Sequence, residues 1–246
     1  MTRRGSGPKP ARGLDEIDVV YSETHWNLLS RFRDHAVRIM KGLGTFETLS
    51  FVHGSLARGD VDEKSDIDIV IPTNVNTQMV ESSLELSGFD LTFREIVQAT
   101  PMHSPKARLI LDPEEKAAIT IPLVPLRSLE EQFYAYGGSA TKADLQQGLR
   151  KRGCTKKLTL IEPNAVGHRE WSIIGREAEV AQTLGIKQDI VRERVRVLGR
   201  RDAIGRTGIF LTRPVPPNMT FERVLRQEAA TNPALRRTLK TRIDRS

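Results

Sequence analysis

The apolar and polar positions along the first half of the chain predict alternating helices and strands. Ser22 or Thr24 can cap a helix whose apolar residues recur at helical spacing from Trp26 to Met40, and this helix ends near Gly42. Shorter segments with strand patterns follow it. The predicted order is strand Thr48–His53, strand Asp66–Ile71, helix Gln78–Leu86, and strands Thr92–Ala99, Ala107–Leu111 and Ala118–Val124. This order is typical of an α/β domain with a mixed sheet.

The second half of the chain predicts mainly helices, which glycines and a proline separate. Gly137-Gly138 lies between two of them, Gly185 forms a tight turn between two more, and Asn232-Pro233 interrupts the last. The predicted elements are helices Leu129–Tyr136 and Lys142–Arg150, strand Lys157–Ile161, helices Arg176–Leu184 and Ile186–Leu198, and a helical segment from Phe221. We therefore divide the chain into a flexible basic tail (residues 1–20), an α/β domain (21–150), a mainly helical domain with its lead-in segment (151–213) and a basic helical tail (214–246).

Charge is unevenly distributed along the chain, whose net charge is +7. Residues 1–147 carry 16 Lys and Arg against 21 Asp and Glu, a balance of −5, whereas residues 148–246 carry 22 against 10, a balance of +12. This asymmetry indicates an acidic half that suits a metal ion and a basic half that suits a polyanion. The alternative is a basic surface that serves only solubility.

Composition excludes several classes of protein. No apolar run approaches the roughly 18–20 residues that a membrane span needs, and Met1–Arg12 is basic without the apolar stretch of a signal peptide. Cys154 is the single cysteine, which excludes an internal disulfide and a cysteine-based metal site. We expect a cytoplasmic protein with no membrane partner.

The segment from His53 to Ile71 combines two chemical features of a phosphoryl-transfer site. Gly54-Ser55 ends a strand and begins a short helix, where backbone N–H groups can bind phosphate oxygens. Asp66 and Asp68 stand two apart on a strand, so both carboxylates project from the same face. Two carboxylates together with substrate phosphates suit Mg²⁺, or Mn²⁺ in its place. The pattern predicts a metal-dependent nucleotide site.

The same residues resemble the signature of the DNA-polymerase-beta-like nucleotidyltransferases, in particular the archaeal type that includes CCA-adding enzymes. The resemblance covers about 19 residues, with Gly-Ser followed by a helical Arg58 and then Ser-Asp-Ile-Asp. It implies an NTP substrate, nucleotide contacts from Gly54 and Ser55, and metal ligation by Asp66 and Asp68. Arg58 would contact a phosphate or support the loop.

The resemblance also implies a third carboxylate on a later strand, and the corresponding strand here carries Thr120 instead. Glu95 is the predicted substitute, with Asp112 and Asp90 behind it. If none replaces the missing acid, the domain binds nucleotide and reacts slowly or not at all. Three acidic residues of the loop before Asp66 are interpreted as solvated turn residues: Asp60, Asp62 and Glu63.

The basic half resembles a winged helix-turn-helix domain. Gly185 turns the chain between the two predicted helices, and the second helix separates an apolar arc from a polar one. Residues 201–211 would form a two-stranded wing. The predicted nucleic-acid contacts are Gln188, Arg192, Arg196, Arg200 and Arg206. A protein-docking role for this domain is the alternative.

Three functions remain open from the sequence. The first is an enzyme that transfers a nucleoside monophosphate from NTP to a hydroxyl group of nucleic acid, with RNA preferred over DNA. The second is a nucleotide sensor that has lost its third acid and regulates through DNA binding. The third is an enzyme that nucleotidylates a protein.

Overall fold

A computed structural model describes residues 9–11, 15–205 and 208–243. The strands are β1 Ile17–Val20, β2 Phe51–His53, β3 Ile67–Val70, β4 Phe93–Gln98, β5 Lys106–Ile110, β6 Ala117–Pro122, β7 Ser139–Ala140, β8 Gly153–Cys154, β9 Thr159–Asn164, β10 Gly167–Ser172 and β11 Leu211–Pro214. The α-helices are α1 Glu23–Gly42, α2 Ser55–Arg58, α3 Thr77–Leu86, α4 Ser128–Gly137, α5 Lys142–Gln146, α6 Glu177–Leu184, α7 Gln188–Ile204, α8 Phe221–Thr231 and α9 Pro233–Ile243. Within this part of the chain, no helix combines the length and apolar character that crossing a bilayer requires.

A seven-stranded sheet organises the first half of the chain, in the strand order β11-β4-β5-β6-β3-β2-β7. Strands β3 and β6 are parallel, whereas the other neighbours are antiparallel. The predicted α/β domain with a mixed sheet is confirmed. Strand β3, which follows Asp66, lies between β2 and β6.

The two faces of this sheet differ in chemistry because side chains alternate along each strand. On one face, Ile69 and Ile119 join the buried core with residues from α1, α3 and α8. The other face carries Asp68 and its cross-strand neighbour Ala118. Two residues further along the same strands, it carries the pair Val70 and Thr120. We call this second face the site face. It carries the predicted carboxylate pair.

The C-terminal segment, predicted as a basic tail separate from the α/β domain, is part of that domain instead. Strand β11 pairs with β4 at the edge of the seven-stranded sheet. Helix α8 buries Phe221, Val224 and Leu225 in the same core as α1 and α3. The reason is that α8 is amphipathic: its basic residues face outward while its apolar stripe covers the sheet.

A second, four-stranded antiparallel sheet has the order β1-β10-β9-β8. Its first strand comes from residues 17–20, so these residues do not belong to a flexible tail as predicted. The sheet packs with α6 and α7 around a core that includes Trp171, Val180 and Val191. The predicted mainly helical domain therefore also contains a β-sheet, in which β8, β9 and β10 pair in sequence and β10 pairs with β1 from the start of the chain.

Helices α6 and α7 lie where the sequence predicts two helices, and Gly185 between them has a positive φ of 64°. The predicted wing at residues 201–211 is wrong for the residues that the structure describes. Helix α7 continues to Ile204, because nothing before Gly205 breaks it. Strand β11 pairs with β4 rather than with a wing partner, since β4 offers an edge with unpaired backbone groups. Arg206 lies outside the described residues.

Candidate nucleotide site

The Asp66–Asp68 pair lies at the open end of the site face. Asp66 immediately precedes β3 and Asp68 is its second residue, and both side chains are exposed. Across the strand pair, Asp68 stands opposite His53, so Gly54 and Ser55 follow directly beside the carboxylates. The Ser55 hydroxyl lies 3.4 Å from the hydroxyl of Ser65, the residue before Asp66. The structure thus brings together the four residues predicted for metal and phosphate binding.

The turn at Gly54 depends on the absence of a side chain. Its φ of 82° and ψ of −139° are a conformation that L-residues rarely adopt. A Cβ on Gly54 would meet nothing within 4 Å, so the space above this turn is open. The Gly54 N–H is not free for a ligand, because it donates to the Gly138 carbonyl at 3.0 Å. The amides of the first turn of α2, which a helix leaves without intrahelical partners, remain as donors.

The surroundings of Asp68 raise the pKa of its carboxyl above the ordinary value. Desolvation by the surrounding protein atoms is the largest cause and repulsion from Asp66 the next, whereas the charges of Lys156 and Arg108 act in the opposite direction. Because the side chain remains open to solvent, a ligand can still reach it. The two carboxylates repel each other in a partly desolvated place, and a cation between them would remove that repulsion.

The donor set fits one hard divalent cation. Asp66 and Asp68 supply carboxylate oxygens from one face of one strand, which are the ligands that Mg²⁺ and Mn²⁺ prefer. Among the described residues, no group of three or more His, Cys, Asp or Glu side chains is placed to hold a metal.

The side chain of Arg58 is directed away from the carboxylate pair, which favours the second of its two predicted roles, support of the loop, over contact with a phosphate. Its side chain is buried, with one nitrogen donating to the Gly137 carbonyl at 2.6 Å and another paired with Asp60 at 2.9 Å. The same guanidinium lies 3.4 Å from the Cys154 carbonyl. Arg58 is the last residue of the single-turn helix α2, and its side chain extends into the protein, where it contacts α4 and β8. These contacts connect the Gly54 loop to α4 and β8.

Glu95 is not brought together with Asp66 and Asp68. It shares the site face, but β6 and β5 lie between β4 and β3, a separation of roughly 14 Å at the usual strand spacing. The Glu95 carboxylate is buried and paired with Arg108 at 2.6 Å. The position that faces Asp68 on the neighbouring strand belongs to Ala118. On the strands that the structure describes, neither position 118 nor Glu95 therefore places a third carboxylate beside the pair.

Helix α4 forms a wall of the site face beside His53. The ring of Phe133 lies 5.2 Å from that of His53, and Tyr134 packs on His53 at 5.3 Å. Desolvation, followed by the charge of Arg58, lowers the pKa of His53 to about 3. His53 is therefore neutral at physiological pH. Tyr134 and Tyr136 are buried, which agrees with a role in packing rather than in stacking a base.

The predicted nucleic-acid residues of α7 form one exposed stripe. Arg192, Arg196 and Arg200 are exposed on successive turns, and Gln188 is half-buried in the first turn. No ion pair involves these three arginines in the described part of the chain. On the opposite side of the helix, Arg194 lies 5.2 Å above the ring of Phe133, which attaches α7 to the wall of the site.

Sequence patterns did not predict the position of two residues near the carboxylate pair. Ala118 faces Asp68, and only the strand register reveals it. Lys156, whose charge acts on Asp68, lies in the turn between β8 and β9. The sequence contains the pair Lys156-Lys157, but the segment around it has no clear helical or strand periodicity. Its position beside the carboxylates could therefore not be predicted.

Comparison with known proteins supports the chemistry of this site. Residues 34–121 match the nucleotidyltransferase domain family, and this range contains Gly54, Ser55, Asp66 and Asp68. Neither curated proteins nor solved structures gave a significant match to the chain. Over residues 34–121 the chain is therefore similar to nucleotidyltransferase domains.

Proposed function

We propose that this protein transfers a nucleoside monophosphate from NTP to an acceptor hydroxyl group, in the manner of polymerase-beta-like nucleotidyltransferases. The observation that carries the proposal is the Asp66–Asp68 pair beside the Gly54–Ser55 turn, within the matched domain. Asp66 and Asp68 would hold Mg²⁺ or Mn²⁺, which when bound neutralises charge on the phosphates. The turn would bind phosphate oxygens through the Ser55 hydroxyl and the first amides of α2.

In this reaction the acceptor oxygen attacks the α-phosphorus of the NTP. The new bond joins that oxygen to phosphorus, and the bond from the α-phosphorus to the bridging oxygen breaks, so that pyrophosphate leaves. The hydroxyl proton passes to solvent water, because Ala118 and Thr120 offer no carboxylate on the strand beside Asp68. The protein contributes mainly position and charge.

Nucleic acid is the acceptor that the surface favours. The stripe of Arg192, Arg196 and Arg200 projects from a helix that packs directly on the wall of the site through Arg194 and Phe133. Phosphate contacts of this kind position a polynucleotide without reading its sequence. The acceptor would be RNA in preference to DNA by analogy with the archaeal enzymes that the motif resembles.

Label transfer tests this proposal. The full chain would be incubated with each α-labelled NTP and Mg²⁺ or Mn²⁺, together with RNA, DNA or a protein extract in separate reactions. We expect metal-dependent label in RNA. Label in protein alone would replace the nucleic-acid acceptor with a protein one, and no label in any acceptor would contradict the transferase.

Removing two charges from α7 is expected to weaken the binding of nucleic acid. The double variant Arg192→Gln/Arg196→Gln should bind RNA roughly tenfold less tightly at moderate salt, with a smaller salt dependence, because each arginine that contacts a phosphate releases about one counterion. Arg31→Gln/Arg38→Gln, on the exposed side of α1, removes the same charge from the opposite face of the sheet. Equal losses in the two variants, measured by fluorescence anisotropy, would mean that α7 is not the interface.

The missing third carboxylate favours a second candidate function, a nucleotide-binding regulator without transferase activity. Asp68 faces Ala118, and Glu95 is paired with Arg108, so neither position supplies a third carboxylate that could act as a base beside the pair. Such a protein would bind NTP with metal and bind nucleic acid, but would transfer no label.

Ala118→Asp distinguishes the two candidates. It places a carboxylate on the strand next to Asp68, and we expect transfer to rise roughly 10- to 100-fold, since a positioned base contributes about 10²-fold or more. We also expect a second Mn²⁺ to bind. Ala118→Asn is the matched control, because it has the same shape without the charge. A rise from an undetectable rate would favour the regulator, and a rise from a measurable rate would favour the enzyme. No change in rate or Mn²⁺ stoichiometry would contradict the placement of residue 118 beside the cation.

A further inference from the structure

The turn between β8 and β9, residues 155–158, is held beside the nucleotide site although it belongs to the other sheet. The Gly54 N–H bonds to the Gly138 carbonyl, and Gly138 packs against Gly153 of β8. A Cβ on Gly153 would lie 2.5 Å from the Gly138 nitrogen, so only glycine allows this approach. Arg58 reinforces it through the Gly137 and Cys154 carbonyls. These contacts place the residues after Cys154 next to the phosphate-binding turn.

The turn itself is rigid. The Thr155 N–H donates to the Thr159 carbonyl at 2.9 Å, and the Thr155 hydroxyl accepts from the Lys157 N–H at 3.1 Å. Leu158 is completely buried, with a positive φ of 60° that its burial maintains. The backbone of Lys156 is therefore fixed at the tip, and only its side chain is free to adjust.

Lys156 offers an ammonium group without a competing partner. Its side chain is exposed, and it forms no ion pair within the described residues. The Gly138–Gly153 contact holds this turn beside the site, and the charge of Lys156 accordingly acts to lower the pKa of Asp68. Arg108, the other cation that acts on Asp68, is paired with Glu95 instead.

We propose that Lys156 binds the β- and γ-phosphates of the NTP and then holds the pyrophosphate that leaves. This inference rests on the proposed function. A triphosphate brings about four negative charges to two carboxylates, and one divalent cation leaves this charge partly unbalanced. A compact ammonium with three donors suits phosphate oxygens that gain charge as the α-phosphorus bond breaks. Lys156 exchanges no proton in this step.

Equilibrium binding of Mg·ATP to the full-length chain tests the proposal without any need for turnover. Lys156→Gln is expected to raise the Kd for Mg·ATP and for Mg·pyrophosphate about 10- to 100-fold, the usual effect of losing a charge-assisted hydrogen bond. Binding of AMP should be unchanged, because AMP lacks both phosphates. Lys157→Gln is the matched control, since it removes the same charge one residue further along an exposed segment and should leave the Kd within about twofold.

The outcomes distinguish a failure of the proposed function from a failure of the role of Lys156. If the wild-type chain binds no NTP at all, the proposed function fails and this inference with it. If the wild type binds Mg·ATP and Lys156→Gln binds equally well, the role of Lys156 is overturned while the proposed function stands. An equal loss in Lys156→Gln and Lys157→Gln would also overturn it, because it would show a general effect of charge. Thermal unfolding of both variants should match the wild type, since both side chains are exposed.

Discussion

Asp68→Asn is expected to reduce nucleotidyl transfer by roughly 1,000-fold or more. The substitution keeps the size of the side chain but removes one of the two charges that hold the divalent cation, and charge stabilisation by such a cation contributes several kcal/mol to the transition state. Asp66 alone would remain, without a carboxylate on the neighbouring strand to replace the loss. Binding of Mn²⁺ should weaken in parallel.

The same variant should fold at least as stably as the wild type. Desolvation and Asp66 raise the pKa of Asp68 in the folded protein above its ordinary value of 3.8, so the ionised form is disfavoured there relative to the unfolded chain. At neutral pH this reduces the free energy of unfolding, and asparagine removes the effect. The difference between the two proteins should shrink as the pH falls towards 3.8.

Asp34→Asn, on the exposed side of α1, is the control for a change of charge and should alter neither rate nor stability. Transfer would be followed by label incorporation and stability by thermal unfolding at several pH values. Full activity in Asp68→Asn would contradict the site assignment. A large fall in the unfolding temperature would instead show that Asp68 has a structural role.

Arg58→Met is expected to lower the free energy of unfolding by about 3 kcal/mol. The substitution removes the hydrogen bond to the Gly137 carbonyl and leaves the Asp60 carboxylate without its cation in a largely buried place. Breaking one partner of a buried pair typically costs about 3–5 kcal/mol. The lower value applies because the Asp60 side chain keeps 17% of its surface exposed and can regain some water.

Urea denaturation measures this loss, and a second substitution identifies its cause. Arg58→Met/Asp60→Asn should recover part of the stability, because no unpaired charge remains. Mg·ATP affinity should change little at temperatures where the single variant is folded. If stability were unchanged and Mg·ATP affinity fell tenfold, Arg58 would be the phosphate ligand that the motif first predicts.

Local patterns account for much of the architecture. Of the two predicted caps of α1, Ser22 is the one that the structure uses, since its hydroxyl accepts from the His25 N–H, and Gly185 ends α6 in the left-handed conformation. The strand pattern at Asp66–Ile71 predicts β3 to within a residue at each end. These features depend on residues within a few positions of each other, so a single segment is enough to predict them.

The predictions that fail involve partners far apart in the chain. The Ile17–Val20 segment is a strand only because β10 pairs with it, and Leu211–Pro214 is a strand only because β4 has a free edge. Short strands without strong alternation carry little signal of their own. Their conformation depends on which backbone hydrogen bonds the rest of the fold leaves available.

The site also contains some residues that local sequence positions and others that long-range packing positions. The proximity of Gly54, Ser55, Asp66 and Asp68 could be predicted from spacing, because one strand–turn–strand unit positions all four. Spacing could not show that Glu95 is three strands from the pair, that Arg58 is buried, or that Lys156 acts on Asp68. Those facts depend on sheet order and on the packing of β8 against Gly138. Such long-range packing depends on the burial of the whole core and not on the sequence of any one segment.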